Sequence, residues 1–434
     1  MPETDLEDLL RSLAPQALGV LVRRHGSFSD AEDAVQEALV EAASRWPVEG
    51  RPRDPRAWLV TVAQRRLVDF WRSETARRAR DQRALAVPAS VPAAGPESDD
   101  SLELLLLCCH PAPNRPAQVA LTLRAVGGLT TAEIARGLLL PEATVAQRIS
   151  RAKRAIRSAG ARFELPAPDE LPDRVETVAA VLYLVFTEGH TATSGSALQR
   201  SDLATEAIRL TRMLLARVQA EPLPEPVRDE VRGLLALMLL TASRWSARVD
   251  ATGALVPLDR QDRGRWDRAL ISEGVALVEA TLRSGPVGPY QLQAAIAAVH
   301  AEARSAADTD WREILGLYDL LRRLAPGPMV TLNRVVALAF AVDPLVALGE
   351  LESAAADPAL AGHPRVPAVR AHLLERCGRP AEARLDYLEA ARRSRSEPEQ
   401  RYLLQRAAQL TAGGQAGRRP GPAPAGHGPG QNPR

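Results

Sequence analysis

Lysine is almost missing from this chain of 434 residues: Lys153 is the single one among 55 basic side chains. Arginine carries nearly every positive charge, so an arginine-rich surface taken alone marks nothing more than a solvated face. Cysteine is scarce as well. The three present, Cys108, Cys109 and Cys377, are too few for a disulfide framework and fit a reducing compartment. No apolar run approaches the ~20 residues of a membrane span. The opening Met-Pro-Glu-Thr-Asp-Leu-Glu-Asp is acidic and polar, unlike a secretory signal. A cytoplasmic protein with no membrane contact is expected. Net charge is small too: 55 basic and 53 acidic side chains leave +2. Any affinity for a polyanion must therefore come from local segregation of charge.

Such segregation occurs between Thr130 and Arg157. Thr130 is a candidate N-cap, with Glu133 placed to complete a capping box. A short apolar turn, Leu138-Leu-Leu140, follows, and Pro141 suits the first position of a second helix. In that helix Val145, Ile149, Ala152 and Ile156 share one stripe and are expected to be buried. Gln147, Arg151 and Arg154 face the other way, flanked by Arg148, Lys153 and Arg157. A helix divided like this can lie in a major groove, with Gln and Arg on base edges and other cations on phosphates. The spacing predicts a helix-turn-helix.

Upstream, Ser29-Asp-Ala-Glu-Asp-Ala-Val-Gln-Glu reads as a helix opening on another capping box, Ser29 to Glu32. Ala31, Val35, Ala38, Leu39 and Ala42 form its buried stripe. Asp33, Glu37 and Glu41 recur every four residues on an exposed one, an arrangement that repels itself slightly and suggests a basic partner. A Pro/Gly-rich loop, Trp46 to Pro55, leads to a helix from Arg56 to Arg72 in which Trp58 and Trp71 alternate with Arg65, Arg66 and Arg72.

An Asp-Ala-Glu-Asp-x-Val-Gln-Glu helix, a Trp-Leu-x-x-x-Ala stretch with Asp-x-x-Arg, and a helix-turn-helix ending in Arg-Ala-Lys-Arg together resemble the σ2 and σ4 domains of extracytoplasmic-function sigma factors. Leu106–Pro111, Leu182–His190 and Gly288–His300 are similar to a subgroup that carries a long tetratricopeptide-like extension. The resemblance implies an all-α fold of two small helical domains, a flexible linker and a large helical extension. It implies a factor that binds core RNA polymerase, recognises −10 and −35 promoter elements and directs initiation, with the extension regulating it. Asp30, Glu32, Asp33, Gln36 and Glu37 would dock on the β′ clamp helices, with further contacts to the β subunit. Trp46, Arg53, Arg56, Trp58, Arg65, Arg66 and Arg72 would engage the −10 element, and Glu142, Thr144, Gln147, Arg148, Arg151, Lys153 and Arg154 the −35 element. The family's usual Asn stands here as Arg65, and Val48, Pro52 and Pro55 replace loop aromatics.

Segmentation follows these lines: σ2 over 1–83, a linker over 84–100, σ4 over 101–163, the extension over 170–411 and a Gly/Pro-rich disordered tail over 412–434. Gly378, Ala383, Tyr387 and Ala390 carry tetratricopeptide spacing near 365–398, a surface for a protein or peptide partner. Glu188, His190, Asp250, Asp259 and Asp262 lack metal-ligand spacing, and the adjacent Cys108 and Cys109 point about 100° apart on a helix and suit a core. No cofactor, metal or catalytic residue is expected. The alternative reading is a helix-turn-helix regulator that senses a ligand or partner and has no sigma activity.

Overall fold

Alanine, leucine and arginine dominate long stretches in which prolines, Pro15 inside the first helix apart, fall close to the ends, so the chain folds as helices. The computed structural model describes residues 3–81, 100–138, 140–190, 201–250, 254–283, 285–360 and 362–416. Most of the expected linker and tail, and Leu139 of the apolar turn, lie outside them. In chain order the helices are α1 (Glu3–His25), α2 (Phe28–Glu49), α3 (Pro55–Asp81), α4 (Ser101–Cys108), α5 (Arg115–Ala125), α6 (Thr131–Leu138) and α7 (Glu142–Ser158). Then come α8 (Leu171–His190), α9 (Ser201–Ala220), α10 (Glu225–Ala242), α11 (Arg268–Leu282), α12 (Pro289–Glu302) and α13 (Trp311–Leu324). The last are α14 (Pro328–Ala341), α15 (Pro344–Ala355), α16 (Arg365–Arg376), α17 (Pro380–Arg393) and α18 (Glu397–Ala416). Among the described residues the only β pairing is one bridge, Val249 to Leu255. The fold is all-α.

Packing divides the chain into two units. The first holds Met1–Arg248, Val256–Asp310 and Arg323–Ala325. Its apolar core is continuous from Leu18 and Leu21 of α1, through Leu59 and Leu67 of α3, to Leu121, Ile134 and Val145, and on to Leu182, Leu214 and Leu235. The α1–α3 and α5–α7 helices therefore share one core with the first helices of the extension. α4 links them: Leu102 and Leu104–Leu107 are all buried, which only a helix surrounded on every side tolerates.

Two local expectations need correcting. α2 starts at Phe28 with Ser27 as its N-cap, Oγ accepting from the Asp30 N–H at 3.4 Å, so the box from Ser29 to Glu32 does not form. The loop expected over Trp46 to Pro55 is shorter, because α2 runs to Glu49 despite Pro47. A proline this near a helix end removes one hydrogen bond, and Gly50 closes the turn at φ +88°, its N–H donating to the Trp46 carbonyl.

The second unit holds Val249–Leu255, Trp311–Arg322 and Pro326–Arg434. Each helix from α14 to α18 packs on the next, as in helical repeats. Gly378, at φ +71°, makes the tight turn between α16 and α17. Ala383, Tyr387 and Ala390 are buried, and the Tyr387 hydroxyl donates to Glu375 Oε2 at 2.9 Å.

Candidate nucleic-acid interface

The capping box of the helix-turn-helix is present: the Thr130 N–H donates to Glu133 Oε2 at 2.7 Å and the Glu133 N–H to Thr130 Oγ1 at 3.1 Å. The Leu140 N–H reaches the Ala135 carbonyl at 3.0 Å and closes the turn. Pro141 is the N-cap of α7, one position before the expected one. Val145, Ile149, Ala152 and Ile156 are buried as their spacing requires. On the other side Glu142, Gln147, Arg151 and Arg154 are exposed, with Thr144 and Arg148 half-buried. None of these six forms an ion pair or side-chain hydrogen bond among the described residues. A cationic stripe held on a packed helix and left unengaged is suited to a polyanion.

Lys153 is placed differently. Its side chain is only 10% exposed, and its ammonium lies 2.5 Å from Glu32 Oε2 and 2.7 Å from Asp33 Oδ1, both on α2. Burial pulls its pKa down, but Glu32 and Asp33 outweigh that, leaving it raised. The other oxygen of Glu32 accepts from Arg124 Nε at 3.0 Å. Arg157 reaches Asp30 at 3.5 Å, and Asp30 also accepts from the Trp71 indole N–H at 3.1 Å. Spacing on α7 contains the signal for Lys153: it lies four residues after Ile149 and three before Ile156, on the inward side. Arg124 gave no local signal.

Further along α2, Gln36 is half-buried and Glu37 exposed, with Arg66 Nε 3.9 Å from Glu37. Arg66 pairs more closely with Glu41, at 2.8 Å, and Arg66 and Arg45 together hold the Glu41 carboxyl below its ordinary pKa. Trp46 is buried, its ring edge-on to the half-buried Trp58 at 5.4 Å between centroids. Arg53, Arg65 and Arg72 are exposed and Arg56 half-buried along the short loop and α3.

The extension grips the α4–α6 side through backbone carbonyls. Arg174 donates to the Leu106 carbonyl at 2.6 Å, Arg209 to that of Val126 at 3.2 Å, and Arg115 to that of Thr177 at 3.0 Å. Gly137 lets Leu203 of α9 approach: a Cβ there would lie 2.6 Å from Leu203 Cδ1. Deeper in the extension the Trp245 indole N–H donates to His190 Nδ1 at 3.0 Å, which fixes the imidazole as an acceptor. Burial, then Arg248 and Arg244, holds His190 well below its ordinary pKa, and burial with Arg244 and Arg263 brings His300 down to about 4. Cys108 and Cys109 are buried, and burial raises both thiols, Cys109 to about 11. Among the described residues no three His, Cys, Asp or Glu side chains are grouped to hold a metal, and no helix is long and apolar enough to cross a membrane.

Residues 9–77 match the family described as Sigma-70 region 2, and residues 114–156 match Sigma-70, region 4. Those two regions in this order define a sigma-type transcription factor. Residues 174–282 match a family of unknown function, DUF6596. The chain is 40% identical over 422 residues to uncharacterized protein R00370 of Rhizobium meliloti, covering 95% of this chain and 97% of that one. It is 34% identical over 163 residues to the ECF RNA polymerase sigma factor SigL of Mycobacterium tuberculosis, covering 34% of this chain and 87% of SigL. A crystal structure of yeast Tom70 aligns over 95% of this chain and 86% of its own at 13% identity, with a TM-score of 0.30, too slight a likeness to bear on the fold. The chain belongs to the extracytoplasmic-function family of RNA polymerase sigma factors and carries a helical extension after region 4.

Proposed function

We propose that this sigma factor docks on core RNA polymerase through α2, places α7 in the major groove of the −35 element and uses the α2–α3 loop and α3 at a melted −10 element. The observation that carries this reading is the stripe of Gln147, Arg148, Arg151 and Arg154, turned away from the core and without an ion pair or side-chain hydrogen bond among the described residues. Glu142 can accept from a cytosine amino group, while Thr144 and the guanidinium groups flanking the base readers set register on the phosphates. At −10 a single strand needs a cationic track and a pocket for a flipped base. Arg53, Arg56, Arg65 and Arg72 supply the track, while the buried Trp46 fixes Trp58 beside it. Asp30, Glu32, Asp33, Gln36 and Glu37 form the polymerase-facing set, where complementary charge fixes register. The extension regulates these tasks through its hold on the α4–α6 side, and its second unit offers a repeat surface to a protein or peptide. The site of action is the cytoplasm.

Reconstitution with core polymerase tests the reading. Stable holoenzyme and run-off transcripts from a matched promoter are the expected result. A chain that binds duplex promoter DNA but neither associates with core nor initiates would be the ligand-sensing regulator instead.

A further inference from the structure

We infer that the free chain is self-masked: Lys153, Arg157 and Arg124 of the region 4 domain occupy the carboxylates of α2, so polymerase must displace region 4 before α2 can dock. The inference rests on the sigma reading, which makes α2 the polymerase-facing helix, but its observations are separate. Glu32 is 2% exposed, and its two oxygens are taken by Lys153 and Arg124. Asp33 accepts from the same ammonium. Asp30 is shared between Trp71 and Arg157. Three of the five polymerase-facing residues are thus engaged by side chains from the region 4 side, while Glu37, midway along α2, is 64% exposed with only Arg66 near it, at 3.9 Å, among the described residues.

Energetic weight falls on the buried members. Arg157 and Asp30, 62% and 23% exposed at 3.5 Å, form a contact of the weak surface kind. Glu32 and Lys153 have left water, and removing either partner leaves the other buried without full compensation. Behind them runs the apolar core that joins α1 to α4 and α5. The closed arrangement is therefore a packed state with a charged gate. The outward stripe of Arg148, Arg151 and Arg154 lies on a different side of α7 and is not covered by α2. What closure hides on the docking helix is Glu32, and it ties down Asp30 and the still 69% exposed Asp33; the gate is the single lysine of the chain. A chain closed nine times in ten binds any partner of its open form about tenfold more weakly than the open form would.

Two measurements on the full-length chain test this. Ser29 and Ser158 adjoin Asp30 and Arg157 in sequence and lie outside the polymerase-facing set. A chain carrying Ser29→Cys, Ser158→Cys and Cys377→Ser can be tethered by a flexible bis-maleimide, because Cys108 and Cys109 are buried. The tethered chain is expected to bind core polymerase, without DNA, at least about tenfold more weakly than the same chain untethered. Equal binding overturns the masking. The second readout needs no polymerase. Lys153 is the only side-chain amine, so its acylation by an amine-reactive ester, followed by peptide mass spectrometry, reports how firmly Glu32 and Asp33 hold it. Acylation should be slow in the wild-type chain and several-fold faster in a Glu32→Gln, Asp33→Asn chain. Equal rates overturn the closed gate. If no form of the chain binds core, the sigma reading fails, while the acylation rates still decide whether the gate exists.

Discussion

Acidification should loosen the extension through its buried histidines. His300 is largely buried, and burial together with the nearby Arg244 and Arg263 lowers its pKa from 6.5 to about 4. A depressed histidine favours the neutral form in the folded state, so its contribution is complete above the unfolded value and is lost as pH falls toward the folded one. With those two values, acidification from about pH 7.5 to about pH 5.5 removes roughly 1.3 kcal/mol of stability through His300 alone, and the full shift is worth about 3 kcal/mol. His190, also well below its ordinary value, acts in the same direction. The assay is urea unfolding of the wild type and of His300→Gln across this range. Gln keeps polarity but cannot take up a proton, so its stability should decline less steeply with acid by roughly 1.3 kcal/mol over the interval. Parallel decline in the two proteins would refute the argument, whatever the absolute stability of the variant.

Three other outcomes are expected. Arg148→Ala and Arg151→Ala should each cost about 1–3 kcal/mol of discrimination between matched and altered −35 elements in run-off transcription; an equal loss on every sequence would make that residue a phosphate contact. Gly189→Ala should lower stability by about 1–3 kcal/mol, because its Cβ would lie 2.5 Å from the Ala204 backbone nitrogen and 2.9 Å from its Cα; an unchanged melting curve would show that α8 and α9 can separate without cost. Arg174→Ala removes the donor to the Leu106 carbonyl and should cost about 1–3 kcal/mol, read as faster proteolysis between Phe163 and Leu171, and unaltered cleavage would mean that other contacts hold the extension to α4.

Periodicity carried the helices well because helical burial repeats at a fixed spacing. The stripe of Val145, Ile149, Ala152 and Ile156 and the box of Thr130 and Glu133 could be read directly, and so could the core of α2. Helix ends were less legible. Pro47 resembles a loop residue in sequence, yet in the last turn it forfeits only one hydrogen bond while Trp46 remains anchored on Trp58. Ser27 and Ser29 are equally good caps by composition, and Phe28, buried at the first position of α2, accompanies the earlier choice.

Long-range charge pairing was the least legible feature, and it matters most for mechanism. The acidic stripe on α2 pointed to a basic partner, and the structure supplies one from within the same chain, 120 residues away. Sequence patterns cannot choose between an internal and an external partner, because both satisfy the same electrostatic requirement. Burial does separate them. A carboxylate held only loosely stays exposed, as Glu37 does with Arg66 at 3.9 Å, whereas one closely paired can leave water, as Glu32 has. Lys153 meets the same criterion from the other side. Its phase on α7 puts it with Ile149 and Ile156, so a cation there must either find an acid or leave the helix partly undocked. In a chain that uses arginine for all its other basic side chains, a compact ammonium at this position fits between Glu32 and Asp33, where a planar guanidinium would have to present its fork to two carboxylates.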